Sequence, residues 1–182
     1  MRESLIRYFK DCSRTLPVNE IAVLSIVLCL LAVVVLAVFG RRKGLRWSAT
    51  FLLVEYLIWI VSMALLFRST MPERKYFFTP FWSYQILEKD SILIPQIILN
   101  VLVFVPVGFL LGCAFEKMKW WKATLIGAGL SIVIEVLQFV TRRGFAEFDD
   151  VFHNTLGCLL GFGLFAAVTA VARRLLKRRG AA

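Results

Sequence analysis

Ionisable and amide side chains set within apolar sequence are the residues that could do chemistry. Glu135 and Gln138 stand in the run Trp120–Val140, Arg142 and Arg143 follow it, and Glu147, Asp149 and Asp150 come next. Asn154 lies just inside the following apolar run, Gln96 and Asn100 sit in the preceding one, and Arg68 closes an earlier one. Glu135, Asp149 and Asp150 are candidate acid/base groups, because a desolvated carboxyl is a proton carrier tuned by its surroundings. Arg142 and Arg143 suit phosphate, which guanidinium holds through paired hydrogen bonds. Plainer readings stand beside these. Arg142 follows Glu135 by two helical turns on the same face, so a structural ion pair with Arg142 or Arg143 is an equal alternative. Asp149 and Asp150 stand where a helix begins, where carboxylates meet the positive end of its dipole and Asp150 fits an N-cap. Asp149, Asp150 and His153, with Glu147 or Glu135, have the oxygen and nitrogen donors for a divalent cation. No HExxH, CxxC or P-loop pattern supports that, and neither a metal nor a cofactor is expected. His153 is the only histidine, and Ser83 and Ser131 lie in no nucleophile elbow, so a Ser–His–Asp triad is not expected.

The elements that must position these groups are membrane helices. The 182 residues are 59% hydrophobic, with a mean hydropathy of +0.76. That exceeds the roughly 45–50% apolar content of soluble domains and excludes an ordinary soluble fold, a disordered chain and a fibrous repeat. The net charge of +10 comes from short basic clusters between long apolar runs. This is the pattern of a multispanning membrane protein, and no nucleic-acid partner is expected. The cysteines Cys12, Cys29, Cys113 and Cys158 show no metal or disulfide spacing and read as small buried residues.

Five stretches reach the roughly 20 residues that a spanning helix needs. They are Ile21–Phe39, Trp47–Phe67, Ser91–Phe115, Trp120–Val140 and Val151–Ala172. The fold class expected is therefore all-α, a polytopic bundle of five transmembrane helices. Residues 1–46 form an N-terminal segment with an additional span, 47–172 the main membrane domain, and 173–182 a basic tail. The first apolar run starts late and ends in Arg41-Arg42-Lys43, unlike a cleaved signal peptide. Residues 1–20 carry a weak apolar stripe that fits either an interfacial helix or a frayed terminus. Five spans put the two ends on opposite sides. Residues 1–20, 68–90 and 142–150 carry 10 Lys/Arg over 52 residues, against 12 over 24 for 40–46, 116–122 and 173–182. The denser side is assigned to the cytoplasm, which leaves the N-terminus outside and the C-terminus inside.

Each of the last three spans has one small or polar face. Gln96, Asn100, Phe104, Gly108 and Gly112 recur at steps of four. Gly127, Ser131, Glu135, Gln138 and Arg142, and then Asp150, Asn154, Gly157 and Gly161, recur at steps of three and four. Such spacing shares one helix face, and small residues there let helices approach closely. Counting from the span ends, Asn100, Glu135 and Asn154 lie roughly 5–14 Å below the same membrane surface. One polar pocket is expected there, roofed by the 142–150 loop with its two arginines and three carboxylates. Glu55, near the middle of its span, has no partner evident in the sequence.

Residues 68–161 resemble the VanZ-like membrane family. Asn100-x3-Phe104-x-Pro106-x-Gly108 resembles one of its motifs. Glu135-x2-Gln138, Arg143-Gly144 and Asp149-Asp150-x3-Asn154-x2-Gly157-x3-Gly161 resemble its second half, and Arg68 with Thr79–Tyr84 resembles its outward loop. The resemblance implies a four-helix core in a bacterial cell membrane, to which the first span is an addition. It also implies an association with teicoplanin resistance, and it names no reaction. The ligand-binding set expected from residues and resemblance together is Arg68, Asn100, Glu135, Gln138, Arg142, Arg143, Asp149, Asp150 and Asn154. Partners expected are membrane lipids and a lipid-linked peptidoglycan precursor. Three functions stay open: a binder or shield for such an anionic precursor, an enzyme acting on it through Glu135 or Asp150, and a small proton-coupled carrier. A scaffold whose polar groups only hold the bundle together is the plain alternative.

Overall fold

Long apolar runs broken by basic clusters or by proline and glycine become helices whose backbone bonds are satisfied internally, as hydrocarbon requires. The computed structural model describes residues 27, 43–65, 68, 70–87 and 93–179. Its elements are α1 (Lys43–Leu65), β1 (Lys75–Phe77), α2 (Trp82–Leu87), α3 (Ile94–Ala114), α4 (Trp120–Thr141), β2 (Phe145–Glu147) and α5 (Phe148–Arg179). Within α1, α3, α4 and α5, four segments are long and apolar enough to cross a membrane: Arg46–Leu65, Ile94–Ala114, Trp120–Thr141 and Phe148–Lys177. These correspond to the second to fifth spans expected from sequence. The span Ile21–Phe39 and the stretch 1–20 lie outside the described residues.

Helix α5 is longer than its apolar run. It begins three residues before Val151 and continues through Arg173, Arg174 and Lys177 to Arg179. Most of the expected basic tail is therefore helical. Lys and Arg are good helix formers, and cations at a helix C-terminus meet the negative end of its dipole.

Backbone proximity organises the bundle. At Gly108 an added Cβ would lie 1.9 Å from the Cys158 carbonyl oxygen, at Gly157 2.1 Å from that of Val101, and at Gly161 1.9 Å from that of Val105. These reciprocal contacts seat α3 against α5 at a separation that no other residue type permits. Across α5, helix α4 presents Ala123, Gly127 and Ser131. Cys158 Sγ donates to the Ala123 carbonyl at 3.2 Å, and Asn154 Nδ2 donates to Ser131 Oγ at 2.8 Å. On the other flank the Tyr56 hydroxyl of α1 donates to the Val103 carbonyl of α3 at 2.9 Å. This bond lies in the turn where Pro106 removes a backbone donor. Phe104, Val107, Phe109, Leu111, Ile134 and Phe165 fill the space between.

The outer faces are apolar. Leu125, Ile132, Val133, Val136 and Val140 of α4 are exposed, as a lipid-facing surface requires. On α1, Glu55 is exposed among Phe51, Val54 and Ile58.

The two loops assigned to one membrane side meet there. β1 and β2 pair in parallel, with Lys75 opposite Phe145, Tyr76 opposite Ala146 and Phe77 opposite Glu147. The pairing is an addition to the all-helical expectation, since three-residue strands leave no periodic signal. It closes one end of the bundle, and all three β2 residues are buried.

Candidate functional site

A cavity of about 80 Å³ opens beneath the β1–β2 pair where four helices converge. Helix α1 supplies Trp59, Ile60, Met63 and Ala64; α3 supplies Leu99, Asn100, Val103 and Phe104; α4 supplies Ile134, Glu135 and Gln138; α5 supplies Asp150 and Asn154; and Arg68 completes the wall. Six of the nine residues expected to bind a ligand therefore line one space: Arg68, Asn100, Glu135, Gln138, Asp150 and Asn154. The five on helices meet because steps of three and four keep each on its helix's inward face, at matching depth, while Arg68 reaches the cavity from beyond the end of α1.

The polar lining is partly bonded. Asn100 Nδ2 donates to Asp150 Oδ1 at 2.6 Å. The Glu147 backbone N–H donates to Glu135 Oε2 at 2.8 Å, which ties α4 to β2. Gln138 Nε2 makes a long 3.4 Å bond to the Ala64 carbonyl, and its Oε1 is buried with no hydrogen-bond partner. Arg68 Nε is likewise buried without a partner. The Arg68 side chain passes over Gly144, where a Cβ would lie 2.8 Å from its Nη1 and where φ is +150°. The backbone conformation favours glycine there.

Two expected arginines lie elsewhere. Helix α4 ends with Arg142 in the left-handed region (φ 57°), and Arg142 is exposed and is not part of the cavity lining. The Arg142 carbonyl accepts the Met71 N–H at 2.8 Å, and Arg143 Nη1 donates to the Leu65 carbonyl at 2.8 Å. The expected ion pair between Glu135 and Arg142 or Arg143 does not form. The left-handed turn takes both arginines off the face that carries Glu135. Arg68 is instead the cation whose charge acts on Glu135, Glu147 and Asp150. The expected roof is also different, because Glu147, Asp149 and Asp150 are all buried.

Asp149 holds the 68–90 loop. Its Oδ1 accepts the Phe81 N–H at 2.6 Å, and its Oδ2 accepts the Ser83 N–H at 3.0 Å and the Ser83 hydroxyl at 2.5 Å. Phe81 lies in the left-handed region at φ 57°, a strained state for an aromatic residue that the Asp149 bond helps to hold. Asp149 thus caps the start of α2 as well as standing in the first turn of α5. Asp150 is not the N-cap of α5, because that helix starts two residues earlier at Phe148.

Burial, reinforced by the nearby Asp150, Glu135 and Asp149 carboxylates, raises the Glu147 carboxyl well above the usual carboxylate range, and Arg68 only partly opposes this. Behind the main cavity a void of about 10 Å³ is lined by Glu147, Asp149, Asp150 and His153. There His153 Nε2 is 2.8 Å from the Tyr84 hydroxyl. Among the described residues no group of three or more His, Cys, Asp or Glu side chains is placed to hold a metal ion.

Sequence reasoning missed Ser83, Phe81 and Tyr84 as polar partners of α5. Their signals were the position of the 68–90 loop on the same side as residues 142–150 and the resemblance of Thr79–Tyr84 to the family's loop, neither of which names a partner. The aromatic residues of this loop are divided: Phe77 stacks on the buried Trp82 at 4.5 Å, while Phe78, Phe81 and Tyr84 are exposed. Arg74, Lys75 and Arg142 form an exposed basic collar on the outer surface of the β1–β2 knob. Arg74 lies over the Phe139 ring and Lys75 over the Phe145 ring.

The sequence pattern of the family described as VanZ/LLP1 matches residues 26–170 of the chain. A curated relative, Protein VanZ of Enterococcus faecium, is 33% identical over 70 residues, which cover 38% of this chain and 44% of the relative. The match thus spans less than half of that relative's length. No solved structure matches the chain.

Proposed function

The chain belongs to the VanZ/LLP1 family, and on that premise we propose that it engages an anionic, lipid-linked envelope precursor at one membrane face and lowers susceptibility to teicoplanin. The observation that carries this reading is the convergence of polar side chains from three membrane helices and Arg68 on one cavity beside an exposed basic collar. The precursor's phosphate lies on Arg74, Lys75 and Arg142, and its neighbouring headgroup enters between Arg68, Asn100, Glu135, Gln138, Asp150 and Asn154. Arg143 and Asp149 hold the surrounding loops. In the membrane of a bacterial cell the chain spans five times, with residues 21–39 as the additional span. The N-terminus and the cavity face outward, and the C-terminus is cytoplasmic.

A second reading is favoured by one observation: Glu135 and Asp150 line the same cavity. In it, the two carboxyls act as acid and base on the lipid-linked substrate. The test is teicoplanin susceptibility of a sensitive Gram-positive host expressing wild type or Asp150→Asn at matched membrane levels, with vancomycin as the control drug. Protection by wild type that is lost in the variant is the expected result. No protection despite good membrane insertion would refute the proposal. Turnover of the precursor by purified protein, abolished in Glu135→Gln, would select the enzyme over the binder.

A further inference from the structure

The charges lining the cavity do not balance. Glu135 and Asp150 bring two carboxylates and Arg68 one guanidinium. Arg68 is shared further with Glu147, which is buried directly behind. With both carboxyls ionised, an anion entering this space would meet a surplus of negative charge, so Arg68 does not make the interior an anion site.

The hydrogen-bond inventory is lopsided in the same direction. Asp150 accepts from the Asn100 and Gln96 side chains and Glu135 commits one oxygen to the Glu147 N–H, and a carboxylate's four lone-pair sites leave each of them acceptor capacity. Gln138, only 2% exposed, lines the cavity, and its buried Oε1 has no donor. An orphaned acceptor at that burial costs as much as a lost hydrogen bond, and a ligand that donates to it recovers that cost. Trp59 and Phe104 add aromatic walls, which attract cations. One donor is left over as well: Arg68 Nε, buried without an acceptor.

We propose that the cavity binds a primary ammonium group with an oxygen on the neighbouring carbon. The ammonium donates to Glu135, Asp150 and Gln138 Oε1, and the oxygen accepts from Arg68 Nε. A 1,2-amino alcohol is the smallest molecule with this pattern, and it occurs in aminoethyl phospholipid headgroups and in amino sugars. The inference deepens the reading of the same cavity and rests on it for the lipid-linked context. The collar takes the phosphate of an amphiphile, and the cavity takes its amine.

The experiment is thermal unfolding of the full chain in detergent, titrated with 2-aminoethanol at constant ionic strength. Ethylene glycol serves as the uncharged control and sodium acetate as the anionic one. The expected result is a saturable rise in midpoint with 2-aminoethanol alone. Glu135→Gln or Asp150→Asn weakens that binding by about tenfold or more, the effect of losing one charged hydrogen-bond partner. Gln138→Glu, which adds a carboxylate where the orphaned oxygen lies, tightens it; a purely structural role would not produce this gain. Stabilisation by acetate instead, an equal effect of ethylene glycol, or no effect of any probe overturns the proposal. A nanodisc arm identifies the source: competition by phosphatidylethanolamine but not phosphatidylglycerol assigns the amine to a lipid headgroup. Amine binding without any change in drug susceptibility sinks the functional reading and leaves this inference standing. Drug protection without amine binding does the reverse.

Discussion

Replacing Asp149 by Asn tests whether one buried carboxylate holds the Phe81–Ser83 turn in place. In the native protein three donors converge on its two oxygens: the Phe81 N–H, the Ser83 N–H and the Ser83 hydroxyl. Asp149 is 1% exposed, so water cannot substitute. An asparagine keeps the shape but has one acceptor oxygen and one NH₂ group. Whichever way the amide is turned, its NH₂ faces either the Phe81 or the Ser83 backbone N–H, donor against donor. A lost hydrogen bond to a charged group costs about 1.5–3 kcal/mol, and the stranded donor adds about 1–3 kcal/mol. The local penalty is therefore about 2.5–6 kcal/mol, and it falls where Phe81 already occupies the left-handed region. Because about 1.4 kcal/mol is a factor of ten, backbone amides at 81–83 should lose roughly a hundredfold or more in hydrogen-exchange protection. Amides in the middle of α3 provide the internal standard. If protection at Phe81 and Ser83 changes less than threefold, Asp149 does not anchor the loop and the assignment is wrong.

Gly161→Ala puts a methyl group 1.9 Å from a backbone carbonyl oxygen of α3, whereas at Gly163 an added Cβ meets nothing within 4 Å. The first should cost at least the roughly 1–3 kcal/mol of overpacking, and the second should gain up to about 1 kcal/mol of helix propensity; thermal unfolding of the two in detergent checks the contrast. Glu147→Gln should stabilise the protein above the ordinary carboxylate range and make no difference below about pH 4. The folded carboxyl is raised, so as pH rises through the unfolded value the unfolded chain loses its proton first and wild-type stability falls, a penalty that Gln does not carry. Unfolding midpoints across a pH series should show the wild-type and variant curves separating upward from the acid end.

The meeting of Asn100, Glu135 and Asn154 was legible in the sequence because it follows from two periodicities. A bilayer sets the number of residues per span, and 3.6 residues per turn sets which of them share a face. Together these put Asn100, Glu135 and Asn154 at one depth and aligned Gly108, Gly157 and Gly161 for close approach. The partners of the carboxylates were not legible in this way. Arg142 was a reasonable partner for Glu135 as long as the helix was imagined to continue. The left-handed turn at Arg142 ended that alignment, and nothing in a helical pattern announces such a turn.

What the sequence by itself determined is the membrane class, the four spans within the described residues and their small or polar faces, because each depends on composition and local spacing. The tertiary structure alone decided which groups meet across long separations. Arg68 reached the carboxylates of α4, β2 and α5, Asp149 seized the 81–83 turn, and Lys75–Phe77 paired with Phe145–Glu147 in parallel. Those contacts depend on the path of the loops and on how each helix is rotated about its axis. Both are settled when the glycine-lined faces of α3 and α5 close against each other, a condition that no single segment carries.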